Sequence, residues 1–213
     1  MGKKAYVFDL DGTLLDSMTK GWKNILHGYL DERGVSYPSN LMGTVAPLGL
    51  YKLCEYYQEH FLPDIPADEM YQVFTARMKK EYDHTILLKP NVEELLLKLK
   101  AQGVSLNVLT AGVHQLFDGC LKRLGVEKYF DHIWSTEDFS LKKNDPAIYA
   151  EVANRLGVEA ENCVMVDDNV NALKTAKQAG FYTIGIYDEV EKEKAQEMLV
   201  STDRYIYDFK ELL

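Results

Sequence analysis

Apolar positions in the second half of the chain alternate between two spacings. From about residue 90, apolar residues at helical spacing end at a glycine, and a short continuous apolar run follows. The pattern predicts helices that end at Gly103, Gly125 and Gly157. It also predicts strands over residues 104–109, 132–135, 163–166 and 183–186. Because these strands are nearly continuous apolar runs, we expect a parallel sheet with helices on both faces.

The first strand ends in acidic residues. An apolar run over residues 5–8 is followed by Asp9, Asp11, Gly12 and Thr13. If the chain stays extended through Asp9, the two-residue period of a strand sends both carboxylates to the same side. Two carboxylates held this close repel each other unless a cation lies between them. The segment therefore predicts a divalent metal site at the carboxyl end of the first strand, with one carboxylate free for other chemistry.

The segment between the first strand and the repeated pattern reads as helical. Helical spacing predicts three helices, over residues 18–33, 48–61 and 68–82. We therefore predict a helical domain over residues 16–85, inserted in a core domain formed by residues 1–15 and 86–213. Aromatic residues are frequent in the insert, and we expect them to pack in its interior, with the alternative that one or two line a substrate pocket. They are Tyr29, Tyr51, Tyr56, Tyr57, Phe61, Tyr71, Phe74 and Tyr82.

The composition of the 213-residue chain is that of an ordinary soluble protein, with 46% hydrophobic and 27% charged residues. Its net charge of −9 argues against nucleic acid as a partner, because that partner needs a basic surface. We expect a cytoplasmic protein with no membrane segment and no signal peptide, since no apolar run is long enough for either. The cysteines are expected to be buried, reduced thiols, and they are Cys54, Cys120 and Cys163.

Polar residues recur where the predicted strands end. Taken singly, each has an ordinary explanation as a helix cap, a turn residue or a solvated charge. In an open parallel sheet, however, ligands bind outside the carboxyl ends of the strands. The coincidence of these polar residues at the strand ends predicts one shared crevice. The absence of a GxGxxG sequence after the first strand argues against a dinucleotide as its ligand. The residues are Asp9, Asp11, Thr110, Ala111, Gly112, Lys142, Lys143, Asp167 and Asp168.

Four of these positions resemble the motifs of the haloacid dehalogenase superfamily of phosphotransferases. The first motif is matched by the segment Asp9-Leu10-Asp11-Gly12-Thr13-Leu14. Thr110 resembles the second motif, Lys143 the third, and the pair Asp167-Asp168 the acidic fourth motif. The inserted helices are similar to the small helical cap of phosphoglycolate phosphatase-like and β-phosphoglucomutase-like members. The resemblance covers nearly the whole chain and implies an α/β fold, a three-layer Rossmann-like parallel sheet core with an inserted helical cap domain.

The resemblance also implies a role for each matched residue. Asp9 would be the nucleophile, a role for which a carboxylate is already ionised at neutral pH. Asp11 would be the general acid and base. The implied Mg²⁺ would be held by Asp9, Asp11 through its backbone carbonyl, and the acidic pair. The phosphate would lie beside Asp9 and Asp11. It would be bound by the side chains of Thr110 and Lys143 and by the backbone at Leu10 and Ala111.

The chain departs from the superfamily pattern at two positions. Asn144 follows the matched lysine where a proline is usual, although the spacing to Pro146 favours Lys143 over Lys142. Ala172 stands where many members carry a later acid, and the pair Asp167-Asp168 is expected to compensate. Which of the two aspartates binds the metal directly is left open by the pattern, with a preference for Asp168.

The leading hypothesis is a Mg²⁺-dependent phosphatase that acts on a small phosphorylated metabolite, as a monomer or weak homo-oligomer. Asp11 favours phosphate esters over carbon–halogen bonds, because an ester has a leaving oxygen to protonate. One alternative is a β-phosphoglucomutase-like phosphosugar mutase, but the arginine that such mutases carry early in the cap has no counterpart in residues 44–50. Another is a non-catalytic phosphometabolite-binding module, which the four filled motif positions disfavour.

Overall fold

Six parallel strands form the centre of the computed structural model, which describes residues 4–45 and 48–213. Their spatial order is β3-β2-β1-β4-β5-β6. The strands are β1 (Ala5–Phe8), β2 (Ser105–Thr110), β3 (His132–Ser135), β4 (Cys163–Asp167), β5 (Tyr182–Ile186) and β6 (Arg204–Ile206). The predicted parallel sheet and the Rossmann-like α/β fold are confirmed. The hydrophobic pattern does not predict β6, because this three-residue strand contains no apolar run.

Helices cover both faces of the sheet. Helices α5 (Val92–Ala101) and α6 (His114–Arg123) share a hydrophobic cluster with Phe8, Val108 and Val166 on one face. Helices α7 (Pro146–Leu156) and α8 (Val170–Gln178) pack on the other face with Val7 and Met165. Helix α9 (Ala195–Ser201) adds Met198 to this second cluster. Successive strand residues alternate between the two clusters, as the strand period requires, so the sheet is the middle of three layers.

The order of the strands places the acidic ends together. The chain passes from β1 outward to β2 and β3, then returns to β4 on the other side of β1. In register, Phe8 lies opposite Val108 on β2 and Val166 on β4. The Asp9 N–H donates to the Val166 carbonyl at 2.9 Å, which continues this pairing past the strand. A reversal of strand order of this kind leaves a crevice at the carboxyl edge of a sheet.

Helices fill the chain between β1 and α5. They are a π-helical turn (Met18–Lys23), α1 (Asn24–Asp31), α2 (Leu41–Val45), α3 (Leu50–His60) and α4 (Ala67–His84). The helix predicted over residues 18–33 is confirmed from Met18 to Asp31. Its first part is π-helical, and there the Trp22 N–H donates to the Ser17 carbonyl five residues back. The five residues of α2 are too few to show a helical period, which is why the sequence pattern misses this helix.

Two connections between the helical segment and the sheet run side by side. Leu15 and Leu88 form an antiparallel bridge. The Asp16 N–H donates to the Leu87 carbonyl, and the Lys89 N–H donates to the Leu14 carbonyl, both at 2.9 Å. The domain limits given above stay a prediction, which these paired crossings support.

The three cysteines are buried thiols and form no disulfide. Within residues 4–45 and 48–213, no helix combines the length and apolar character that a membrane crossing requires.

An ion pair on the β3 side of the sheet generates a pH-dependent prediction. The two ring nitrogens of His114 lie 3.0 Å from carboxylate oxygens of Asp118 and Asp138. The hydrogen bond to Asp138 and the partner at Asp118 raise the pKa of His114, although partial burial opposes the shift. A raised folded-state pKa contributes stability below the unfolded pKa of about 6.5, and this contribution is lost as pH rises through the folded-state value.

We therefore expect His114→Gln to lower the free energy of unfolding more at pH 6 than at pH 8, as measured by urea denaturation. His84→Gln, which alters an exposed histidine at the end of α4, is the control and should act equally at the two pH values. An equal effect of His114→Gln at both values would contradict the assignment.

Candidate active site

Three buried carboxylates meet at the carboxyl edge of the sheet. Asp9 follows β1, Asp167 ends β4, and Asp168 is the next residue. Each offers one oxygen such that the three oxygens lie within 4.8 Å of one another. Adjacent parallel strands in register bring these side chains together, so the structure places the predicted acidic groups in one cluster.

Lys143 lies against this cluster. Its ammonium group donates to the carboxylate of Asp9 and, at 2.9 Å, to that of Asp167. The Tyr149 hydroxyl lies 3.0 Å from the Lys143 carbonyl and holds the backbone there. Asp145 caps α7, accepting the N–H of Ala147 at 2.9 Å, and so fixes where the preceding loop ends. Lys142 is exposed, so the structure brings the lysine at the favoured spacing to the carboxylates and leaves its neighbour outside.

The cluster contains three carboxyl groups and one ammonium group. Burial raises the pKa of Asp9 to about 7 and the charge of Asp167 adds to the shift, while Lys143 opposes it. Burial and the charges of Asp167 and Asp9 likewise raise the pKa of Asp168. Burial would lower the pKa of Lys143, but the charges of Asp167 and Asp9 raise it. Three carboxylates thus face one ammonium group, and an oxygen-ligated divalent cation such as Mg²⁺ fits the remaining charge.

The two aspartates after β4 differ in how their oxygens are used. One Asp167 oxygen accepts Lys143 and the other accepts the Asn169 N–H at 2.8 Å. One Asp168 oxygen accepts the Thr13 hydroxyl at 2.9 Å, and in the described residues the other has no hydrogen-bond donor. This difference supports the preference for Asp168 as a direct metal ligand.

Two small residues shape the surroundings of Asp168. Gly12 adopts a φ of 84°, and a Cβ atom at this position would overlap the Asp168 carboxylate. Ala172, at the position of the later acid, is buried in α8 and offers no side-chain ligand. Its carbonyl lies 3.0 Å from the Tyr149 hydroxyl. Since Ala172 has no carboxylate, the third carboxylate of the cluster is that of Asp167.

Asp11 lies at the same edge, but its carboxylate is bound by the helical segment. One oxygen accepts the Ser17 hydroxyl at 2.6 Å and also the Tyr82 hydroxyl. Burial raises the pKa of Asp11, and the two hydroxyl donors oppose this shift. The sequence pattern predicts Tyr82 as a packing residue and does not single out Ser17. No signal in the sequence could have found their contacts, since Tyr82 is 71 residues from Asp11.

Thr110 ends β2 beside the carboxylates. Its hydroxyl oxygen accepts the Gly112 N–H at 3.0 Å, so its own proton remains available to an acceptor. The Ser135 hydroxyl donates to the Gly112 carbonyl at 2.8 Å and ties the loop to β3. Sequence reasoning does not single out Ser135, since a serine at the end of a short strand carries no distinctive pattern. The loop through Ala111 is thereby fixed next to Asp11, which lies 3.5 Å from the position a Gly112 Cβ would occupy.

A cavity of about 410 Å³ opens beside Asp11, between the helical segment and the sheet. Tyr51 and Tyr71 line it, and the alternative that one or two aromatic residues line a substrate pocket stays a prediction, which these two support. Others of the set pack in the interior as expected, namely Tyr29, Tyr57, Phe74 and Tyr82.

Comparison with known proteins agrees with this architecture. Residues 3–180 match the model of the haloacid dehalogenase-like hydrolases. The phosphoglycolate phosphatase of Neisseria meningitidis is 30% identical over 188 residues, which span 86% of this chain and 80% of that protein. The phosphorylated carbohydrates phosphatase of Thermotoga maritima is 27% identical over 201 residues, which span 90% of this chain and 89% of that protein.

A solved structure gives the same fold. A mutant of CbbY from Rhodobacter sphaeroides, in complex with xylulose-(1,5)bisphosphate, superimposes with a TM-score of 0.79 at 23% identity, covering 100% of this chain and 96% of that one. The family match confirms the resemblance drawn from the four motifs. The chain belongs to the haloacid dehalogenase-like hydrolases, and its relatives named phosphatases are consistent with hydrolysis of phosphoric monoesters.

Proposed function

We propose that the protein is a Mg²⁺-dependent phosphatase that hydrolyses a small phosphorylated metabolite through an aspartyl-phosphate intermediate. The observation that carries the proposal is the ammonium group of Lys143 between Asp9 and Asp167, with Asp168 in the same cluster. This arrangement combines a nucleophilic carboxylate, a fixed positive charge and a set of hard oxygen ligands at one edge of the sheet.

The metal would be held by Asp9, Asp168 and the backbone carbonyl of Asp11, with Asp167 beside them. When bound, Mg²⁺ offsets the repulsion between the carboxylates and the phosphoryl oxygens. The excess of acidic groups in the buried cluster supports this choice. Asp167 is already bound by Lys143 and the Asn169 N–H, which suits it to position the lysine.

In the first step, an oxygen of Asp9 attacks phosphorus and the bond from phosphorus to the ester oxygen breaks. Asp11 donates its proton to that oxygen, so the leaving group departs as an alcohol. Burial, which raises the pKa of Asp11, favours the protonated form needed here. The Thr110 hydroxyl and Lys143 bind phosphoryl oxygens, and backbone N–H groups near Leu10 and Ala111 add further donors.

In the second step, water attacks phosphorus of the aspartyl-phosphate. Asp11 accepts a proton from this water, and the bond between phosphorus and the Asp9 oxygen breaks. Inorganic phosphate leaves, while Asp9 returns as a carboxylate and Asp11 as an acid. The two carboxylates thus perform different roles because Lys143 contacts Asp9 and two hydroxyl groups contact Asp11.

The relatives named as phosphatases support this reaction class, and every proposed group lies on one chain, which supports a monomer as the active unit. Buried cysteine thiols support a reducing compartment such as the cytoplasm. For the mutase alternative, residues 46 and 47 of the segment 44–50 lie outside the described residues. Arg77 lies in the helical segment, but its guanidinium is already paired, since it donates to Glu32 through two hydrogen bonds of 2.8 and 2.7 Å.

Asp9 is the proposed nucleophile, and its replacement tests the reaction directly. Asp9→Asn should lower phosphate release from p-nitrophenyl phosphate by at least about 10³-fold, because the amide cannot form the intermediate. Wild-type activity should require Mg²⁺ and disappear with a chelator. The measurement is phosphate release at saturating Mg²⁺, with circular dichroism to show that the variant is folded. Activity of the variant within tenfold of wild type would contradict the proposal.

The contact between Tyr82 and Asp11 gives a prediction about the proton donor. A fixed acid matters most when the leaving oxygen is a poor leaving group, such as an alkoxide, and little for p-nitrophenolate. Tyr82→Phe keeps the ring but removes the donor that orients Asp11. We expect kcat/KM for an alkyl phosphate to fall about tenfold, and for p-nitrophenyl phosphate less than threefold.

Tyr57→Phe is the matched control. Tyr57 is equally buried in the helical segment, and its hydroxyl has no hydrogen-bond partner in the described residues. This variant should leave both substrates unchanged. An equal loss on both substrates in Tyr82→Phe would show that Tyr82 acts through general packing and not through Asp11.

A further inference from the structure

The cavity beside Asp11 has a wall made mainly of apolar side chains. They come from the π-helical turn and from helices α1, α2, α3 and α6. The principal ones are Trp22, Leu26, Met42, Leu50, Leu53 and Leu116. Its volume of about 410 Å³ lies in the range of small-molecule sites. Such a wall favours apolar groups and gives little to a hydroxylated or charged one.

The position of the cavity relates it to the leaving group. Asp11, Ala111 and Gly112 line one end, which is the end where the ester oxygen and the phosphoryl group would lie. A substrate whose phosphorus is beside Asp9 would therefore extend its alcohol part into the cavity. The wall is thus the surface that selects the alcohol.

The charges around the cavity restrict this alcohol further. Among the described lining residues, Asp11 alone is charged. Lys143, the cation of the adjacent carboxylate cluster, is paired with Asp9 and Asp167. A second anionic group on the substrate would lose its hydration without gaining a positive partner.

On the basis of the phosphatase function proposed above, we propose that the substrate is a phosphate monoester of an uncharged, largely apolar or aromatic alcohol. Thr75 adds one polar feature to the wall, since its buried hydroxyl has no hydrogen-bond partner in the described residues. Tyr51 and Tyr71, with ring centroids 5.6 Å apart, add aromatic surface to the lining. The site accordingly disfavours phosphoglycolate and sugar bisphosphates.

Binding of non-hydrolysable phosphonates tests this inference without relying on catalysis. With Mg²⁺ present, calorimetry should show the Kd of n-alkylphosphonates falling about fourfold per added methylene from ethyl to hexyl, the factor expected for burial of one methylene. A second comparison isolates charge, since 2-methylpropylphosphonate and phosphonoacetate have similar shapes but only the second carries a carboxylate. We expect the uncharged member to bind at least tenfold more tightly.

A variant supplies the cation that the wall lacks. Leu50 is only partly buried at the start of α3, so Leu50→Arg should preserve the fold. It should weaken 2-methylpropylphosphonate and strengthen phosphonoacetate, so that their affinity ratio falls about tenfold or more. Leu97→Arg makes the same chemical change on an exposed position of α5 and should leave the ratio unchanged.

An affinity that does not vary with chain length would overturn the inference, as would tighter binding of phosphonoacetate by the unmodified protein or a complete lack of phosphonate binding. Hydrolysis of p-nitrophenyl phosphate is measured in parallel, because it tests the catalytic step, which phosphonate binding does not require. Activity with a flat phosphonate series would refute the substrate class only. A rising series without activity would refute the phosphatase and keep the apolar site.

Discussion

The ion pairs of the Lys143 ammonium group with Asp9 and Asp167 are the interaction on which the carboxyl edge of the sheet depends. Three carboxylates lie buried there, and each would be costly without a positive partner. Removing one member of such a buried ionic group costs about 3–5 kcal/mol, since the remaining charges lose their compensation. The lysine is accordingly fixed from its own backbone by the Tyr149 hydroxyl and by the capped start of α7. Because Tyr149 also lies 3.0 Å from the Ala172 carbonyl, α7 and α8 are joined at this point. The packing of α7 against α8 thus positions the ammonium group that offsets the carboxylates at the edge of the sheet.

The two halves of the proposed chemistry have different supports. Asp9 is fixed by the sheet and by Lys143, while Asp11 is held by Ser17 and Tyr82 of the helical segment. The segment joins the sheet through two paired crossings near Leu15 and Leu88. Any rotation of the helices about these crossings would change the contact of Tyr82 with Asp11 before it changed Asp9. The proposed nucleophile is therefore held independently of the helical segment, and the orientation of the proposed proton donor depends on where that segment lies.

The sequence predicts the fold and the acidic edge because both follow from local patterns. Strand runs that end in Asp9, Thr110 and Asp167 need only the strand period and the rule that parallel strands share a carboxyl edge. The contact of Tyr82 with Asp11 depends instead on how α4 packs against the other helices, and no sequence spacing predicts it. The same holds for Ser135, which donates to a backbone carbonyl in the loop after β2. Short elements such as α2 and β6 contain too few residues for a period to emerge.

The cavity differs in origin from the carboxylate cluster, and family membership does not identify the substrate. The phosphoryl side is built from strand ends, which the fold imposes on every chain with this topology. The proposed alcohol side is built from the π-helical turn and helices α1 to α4 and α6. The relatives bear names that differ in substrate, phosphoglycolate for one and phosphorylated carbohydrates for another, at 27–30% identity. In this chain the wall offers Leu, Met and Trp side chains where an anionic or hydroxylated alcohol would need hydrogen-bonding partners. The apolar wall is therefore stronger evidence on the substrate than the relatives' names.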